Sequence, residues 1–373
     1  MSMTLALICA GLLAWANGAN DNFKGVATLF GSGISDYKKA LNLATATTLA
    51  GSVAAIWFTA QLVAAFSGKL FVSQATLALP GFPLAVCAAC AATVLLATRL
   101  GAPISSTHAL AGSLLGAAFA APESVIDWAK AGKQIFLPLS VGPLVAIAAA
   151  TMLYPVFSFV RARLGITRET CVCIGEEWVP QSVMTAGAAS TIGGIRVTVA
   201  VDKTQVCQQR YTGAVIGVPA QKLIDGLHYL SAGAVSFARG MNDTPKIVAL
   251  TLMAAPVIKG GMEFVLVGVI IAIGGLLGAR RVAETMSHKI TTMNPGQGLT
   301  ANLITSSLVL AASPMGWPLS TTHVSCGALF GIGAVTRQAN WKTIAGIFAA
   351  WLVTLPLAAL LGASFMRATL FIH

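Results

Sequence analysis

Charged residues are scarce in this chain. Asp, Glu, Lys and Arg make up 9% of its 373 residues, and only 12 are acidic, where soluble domains carry about 25%. A hydrophobic share of 56% and a mean hydropathy of +0.80 complete the exclusion of a soluble globular protein. The chain reads as an all-α polytopic membrane protein. The helix patterns that hold a catalytic metal, His-x-x-x-His and His-x-x-Glu-His, do not occur, so nothing points to a metalloenzyme. No cleavable leader is expected, because the first apolar run, Thr4 to Ala16, continues directly into Asn20 and Asp21. The formal net charge of +11 comes from Lys and Arg gathered in short segments between apolar runs. That distribution signals membrane topology and not nucleic-acid binding.

Of the seven cysteines, Cys9, Cys87, Cys90 and Cys326 lie in apolar segments, where buried thiols are expected. Cys171, Cys173 and Cys207 lie in hydrophilic sequence. They are odd in number and contain no Cys-x-x-Cys, a weak basis for zinc or for a disulfide.

A hydrocarbon core of about 30 Å takes about 20 residues per helix. Counted against that length, spans cover about 3–32, 40–66, 81–99, 103–121 and 134–160 in the first half, and about 222–252, 256–279, 298–313, 317–335 and 343–366 in the second. The segments at 103 and 317 suit re-entrant or broken helices. The stretch 161–213 is hydrophilic, and Ile195–Val201 within it alternates β-branched residues as a strand does. The expected organisation is a membrane repeat over 1–160, an insert with a small strand pair over 161–213, and a second membrane repeat over 214–373.

Two motifs occur twice, in the same order. Gly18-Ala19-Asn20-Asp21 returns as Gly240-Met241-Asn242-Asp243, and Pro103-Ile104-Ser105-Ser106-Thr107-His108 returns as Pro318-Leu319-Ser320-Thr321-Thr322-His323. Gly112 and Gly116 match Gly327 and Gly331, and Pro143-Leu144 matches Pro356-Leu357. With five spans per half, the second copy enters the membrane the other way up. The repeat is therefore expected to be inverted, with its polar clusters meeting at one mid-membrane site. Alternation of sides collects Lys38, Lys39, Arg99, Arg161, Arg163, Arg168, Arg280, Arg281, Lys289, Arg337 and Lys342 on one face, against Lys69, Lys130, Lys133, Lys259 and Arg367 on the other. The basic excess puts the insert in the cytoplasm and both termini outside. In that reducing compartment the insert's cysteines are expected to be free.

An aspartate inside a membrane helix costs about 2.5 to 3.5 kcal/mol and needs a partner or a purpose. Asp21 and Asp243 each sit beside an Asn and downstream of a Gly able to unwind the helix. Bared carbonyls, with Asp and Asn oxygens, would suit a hard cation such as sodium; interhelical hydrogen bonding is the plainer alternative. In the hydroxyl motif, proline is a good helix starter. A half-helix begun there aims free N–H groups and its positive dipole end at an anion, held by Ser105, Ser106, Thr107, Ser320, Thr321 and Thr322. Helix packing is the alternative for any one such cluster.

Together with Asn294-Pro295-x-x-Gly298 and Trp351-x-x-Thr354-Leu355-Pro356, these paired motifs closely resemble the inorganic phosphate transporter family over nearly all of both halves, leaving the insert unmatched. The resemblance implies a homodimeric symporter, without cofactor, whose inverted halves bind phosphate at mid-membrane with a coupling cation, proton or sodium. It places Asn20, Asp21, Asn242 and Asp243 on the substrate and cation motif and the six hydroxyls on the hydroxyl motif. The chain departs where many members repeat an Asn and it has Lys24 and Lys246. An ammonium there can mimic sodium, add positive charge for the anion, or pair with the neighbouring Asp, and weakened sodium dependence is the expectation. Arg239, where the family often shows His, adds a fork suited to an oxyanion. His108 and His323 are candidates for a proton relay or for packing. A sulfate or other oxyanion permease is the alternative within the class; a passive channel and a membrane enzyme are the alternatives outside it.

Overall fold

A computed structural model of the chain describes residues 2–167, 169–185, 188–210, 216–254 and 260–372; Arg168 and Lys259, counted among the loop charges above, lie outside them. The chain forms two compact units, 1–154 with 228–373, and 155–227. In the first unit the order is α1 (Ser2–Asp21), α2 (Ala27–Gly31), α3 (Tyr37–Phe58), α4 (Ala60–Phe66), α5 (Gln74–Leu77), α6 (Phe82–Arg99), α7 (Ser106–Ala120), α8 (Trp128–Ala131) and α9 (Leu137–Arg163), the last running on into the second unit. The second unit holds β1 (Thr170–Thr185), β2 (Ala188–Lys203), α10 (Thr204–Arg210) and β3 (Ile216–Pro219). The chain returns to the first unit through α11 (Ala220–Ala254), followed by α12 (Met262–Gly278), α13 (Arg280–Glu284), α14 (Pro295–Ala312), α15 (Thr321–Thr336) and α16 (Trp341–Ile372).

Helix starts follow the local sequence. Asp36 accepts from Lys39 N at 2.9 Å to cap α3, and that backbone N–H, with the Lys39 side chain, holds its carboxyl below the ordinary value. Asn294 and Gln297 close a capping box ahead of α14, with Pro295 at its first position. Inside the bundle, many hydroxyls bond back onto their own helices, as Thr93 does to Ala89 O and Ser113 to Ala109 O, which satisfies these small polar residues within the core.

Five helical stretches among the described residues are long and apolar enough to cross a membrane: Met3–Asp21, Tyr37–Phe58, Phe82–Arg99, Trp128–Arg163 and Trp341–Phe371. Met262–Gly278 with Arg280–Lys289, bent by 68°, makes a sixth. Ile8, Trp57, Leu144, Leu277 and Leu352 lie exposed on these helices, as lipid-facing side chains do. The count falls below ten because α11 dilutes its apolar run with Arg239, Asp243 and Lys246, because α14 carries Gln297, Asn302 and several hydroxyls in its 18 residues, and because α7 and α15 are short. At 15 and 16 residues these two reach about 22 and 24 Å, less than the hydrocarbon core.

Gly18 and Gly240 do not unwind their helices; this corrects the expectation from sequence. α1 stays helical through Asp21 and α11 runs unbroken through Asp243. A Cβ on Gly18 would lie 2.0 Å from Ile271 O of α12, and one on Gly240 would lie 2.1 Å from Thr48 O of α3. The glycines are there for close approach of backbones. The seam continues at Gly274 against Trp15 O and Gly51 against Phe237 O. A second pair of seams sets Gly112 and Gly116 of α7 against Leu355 O and Ala359 O of α16, and Gly327 and Gly331 of α15 against Pro143 O and Ile147 O of α9. In the first half the chain does break, but after the aspartate: residues 22–26 tighten into turns, with Lys24 N bonding Asp21 O and Val26 N bonding Phe23 O.

In the second unit, an antiparallel sheet of order β2-β1-β3 contains the expected strand 195–201 within β2, with Val199 opposite Ile174. Cys171, Cys173, Ala200 and Cys207 form its small core. Cys173 and Cys207 are joined in a disulfide while Cys171 is free, which corrects the expectation that all three are free thiols. β1 and α10 bring the two Cα atoms to 6.3 Å, within bridging distance; residues 34 apart in sequence give no hint of it. Glu177 accepts from Arg210 Nε at 2.9 Å and Thr198 Oγ1 at 3.0 Å, and the Arg210 bond holds its carboxyl below the usual value.

Candidate functional site

The two hydroxyl motifs have one geometry. Gly101 and Gly316 take positive φ of 67° and 71°, turning the chain into an extended lead that ends at a capping serine. Ser105 Oγ accepts from His108 N at 3.1 Å and Ser320 Oγ from His323 N at 3.2 Å, with φ,ψ of −89°,110° and −89°,111°. These serines start α7 and α15, leaving the following hydroxyls to face the other elements. Ser105→Ala is expected to cost about 1 kcal/mol, read as a small fall in the thermal midpoint of the detergent-solubilised protein.

The Asn-Asp motifs meet those leads in matching fashion. Lys24 Nζ donates to Asp21 Oδ1, to Asn20 Oδ1 at 2.8 Å, to Ile104 O at 2.8 Å and to Thr322 Oγ1 at 2.6 Å. Lys246 Nζ donates to Asp243 Oδ1 at 3.1 Å, Leu319 O at 3.1 Å and Thr107 Oγ1 at 2.8 Å. Each lysine thus binds its own aspartate, the lead carbonyl of its own half, and a threonine of the opposite half. The asparagines anchor the same leads: Asn20 donates to Thr98 Oγ1 and Ala102 O, and Asn242 to Leu319 O and Asp243 Oδ1.

The carboxylates differ. Asp21 Oδ2 accepts from Asn17 Nδ2 at 3.0 Å and Ser106 Oγ at 2.9 Å. Asp243 Oδ2 is buried without a hydrogen bond and lies 3.9 Å from Arg239 Nη1. The Arg239 guanidinium is held by Asn17 Oδ1, Asn22 Oδ1 and Thr48 Oγ1. Thr321 opens α15, buried at its first helical position.

The candidate residues Asn20, Asp21, Lys24, Ser106, Thr107, Arg239, Asn242, Asp243, Lys246 and Thr322 are therefore gathered in one buried polar cluster, while Ser105 and Ser320 are turned to their own helices. Sequence reading missed Asn17, Asn22 and Thr48. A signal for Asn17 was present: it stands four residues before Asp21, as Arg239 does before Asp243, the spacing that puts two side chains on one helix face. His108 and His323 pack at a tilt of 44° with ring centroids 4.4 Å apart, and the His323 ring centroid lies 3.8 Å from that of Trp351, whose Nε1 donates to Pro103 O. No hydrogen bond joins either imidazole to Asp21 or Asp243 among the described residues. A cavity of about 10 Å³ lies among Asn17, Ser106, Asp243 and Lys246, and one of about 600 Å³ is lined by residues that include Gln61, Lys133, Gln134, Met315, Trp317 and Leu319.

A helical membrane bundle that closes two matched half-helix starts over a buried cluster of Asp, Asn and Lys belongs among membrane transport proteins, not enzymes. Residues 17–362 match the phosphate transporter family, and the chain belongs to it. A protein of Thermococcus kodakarensis named "Putative phosphate permease" is 27% identical over 97% of this chain and 96% of its own length, and one of Pyrococcus abyssi with the same designation is 25% identical over 97% and 96%. A solved structure, "The sodium-dependent phosphate transporter", shares the fold with a TM-score of 0.77 at 19% identity over the whole of both chains.

Proposed function

We propose that the chain carries inorganic phosphate across the cell membrane as a symporter working by alternating access, coupled to protons and not to sodium. The observation that carries this reading is the charge of the buried cluster. Lys24, Lys246 and Arg239 face Asp21 and Asp243, and none of the five side chains is more than 3% exposed. A formal excess of one positive charge is costly to bury alone, and a bound anion between two helix N-termini neutralises it. Asp243 Oδ2, which has no hydrogen-bond partner, suits the P–O–H of phosphate; sulfate has no proton to give it at neutral pH.

Room for about one water in the 10 Å³ cavity means that loading requires opening. Matched glycine seams and matched lysine contacts in the two halves support an inverted repeat that rocks about this site. In this reading the protein works as a homodimer; the excess of Lys and Arg favours both termini outside and the insert in the cytoplasm, whereas the Cys173–Cys207 disulfide of the insert favours the oxidising side.

The second reading, a sulfate or other oxyanion permease, draws on the same positive excess. The test is uptake of labelled phosphate and sulfate into proteoliposomes with proton and sodium gradients imposed separately. Phosphate should accumulate about tenfold or more on an inward proton gradient, an amount equal to ~1.4 kcal/mol, with excess sulfate competing weakly. Uptake driven by sodium alone, or preferred uptake of sulfate, overturns it.

A further inference from the structure

The two lysine ammoniums sit where small metal ions would sit. Lys24 Nζ is enclosed by four oxygens from both halves of the chain: a carboxylate, an amide, a backbone carbonyl and a hydroxyl. Lys246 Nζ has a carboxylate, a carbonyl and a hydroxyl from the matching positions, with the Phe66 ring face 5.7 Å away on a further side. Carboxylate, carbonyl and hydroxyl oxygens converging on one point form the ligand set of a hard cation. A surface lysine would bring one or two such contacts and keep its ammonium in water. Here both ammoniums are buried, and each bridges the helix carrying its aspartate to a hydroxyl helix of the opposite half.

We propose that Lys24 and Lys246 are resident cations: each fills a latent alkali-metal site, so the positive charge that balances the substrate is covalently held and does not exchange with solution. The proposal rests on the reading of this cluster as the substrate site of a phosphate permease, and it gives that reading a specific consequence. Shortening either lysine to Asn leaves the oxygens in place, removes the ammonium and adds one more amide oxygen. The vacated position then accepts a sodium ion. The Lys24 cage, with four oxygens against three, should become the tighter site.

The test uses the full-length protein in detergent and in proteoliposomes, comparing wild type, Lys24→Asn and Lys246→Asn in sodium and in choline chloride of equal ionic strength. Thermal midpoints are read without phosphate, so that readout is independent of transport. Wild type should melt alike in both salts. Each variant should melt higher in sodium, with the larger shift for Lys24→Asn, and should recover phosphate uptake in sodium by about tenfold over choline, an equivalent of ~1.4 kcal/mol. A sodium-raised midpoint in wild type overturns the proposal, as do variants that respond alike to sodium and choline. Variants that fold in neither salt also overturn it, since the lysines are then structural ion pairs. If wild type moves no phosphate under any gradient while the variants still gain a sodium-raised midpoint, the transport reading fails and the cation cages stand.

Discussion

Asp21→Asn is expected to lower phosphate uptake by at least a hundredfold, roughly 2.8 kcal/mol. Its carboxylate closes the first half of the site on both sides: Oδ1 takes the Lys24 ammonium, and Oδ2 takes Asn17 Nδ2 and Ser106 Oγ. An amide keeps the shape but removes the charge, and it turns one acceptor into a donor facing Asn17 or Lys24. Breaking one partner of a buried ion pair costs about 3 to 5 kcal/mol, because the remaining ammonium is left without a counter-charge. Uptake measured in proteoliposomes, with the amount of folded protein fixed from its melting curve, separates lost transport from lost protein. Wild-type uptake by this variant would remove Asp21 from the mechanism.

The second large effect concerns the frame and not the site. In Gly116→Ala the new methyl would lie 2.0 Å from Ala359 O and 2.6 Å from that residue's Cα and carbonyl carbon. These are backbone atoms of α16 that cannot rotate aside. Separation of α7 from α16 should cost about 3 kcal/mol, the upper end for overpacking, and should displace the Ser106 and Thr107 hydroxyls that start α7. Gly346→Ala, on the same α16 but with nothing within 4 Å of the added methyl, should be neutral or stabilising by about 0.5 to 1 kcal/mol. Thermal midpoints of the two variants, side by side, check both. Equal midpoints would mean that the seam yields more readily than its geometry suggests.

What the sequence made readable was periodic or local. Apolar runs marked the long helices; Pro-x-Ser marked the starts of α7 and α15; and lysine three residues after aspartate allowed the ion pairs that form. Partners distant in sequence were not readable. Nothing near Lys24 announces Thr322, 298 positions away, and nothing near Cys173 announces Cys207. Glycine was readable as a position but not as a purpose. Gly18 and Gly240 suit an unwound helix as well as a crowded one, and only the neighbouring carbonyl of Ile271 or Thr48 decides between them.

Those crowded glycines bear on how the protein is made. The seams run crosswise: α1 lies on α12, α11 on α3, α7 on α16 and α15 on α9, each pair drawing one helix from either end of the chain. Neither end can complete its own packing, since alone it would turn bare backbone grooves toward lipid, with Lys24 or Lys246 short of the threonine that the other half supplies. The first 154 residues leaving a ribosome are therefore half of an interlock, and they wait in the membrane for α11 to α16 before they become a stable protein.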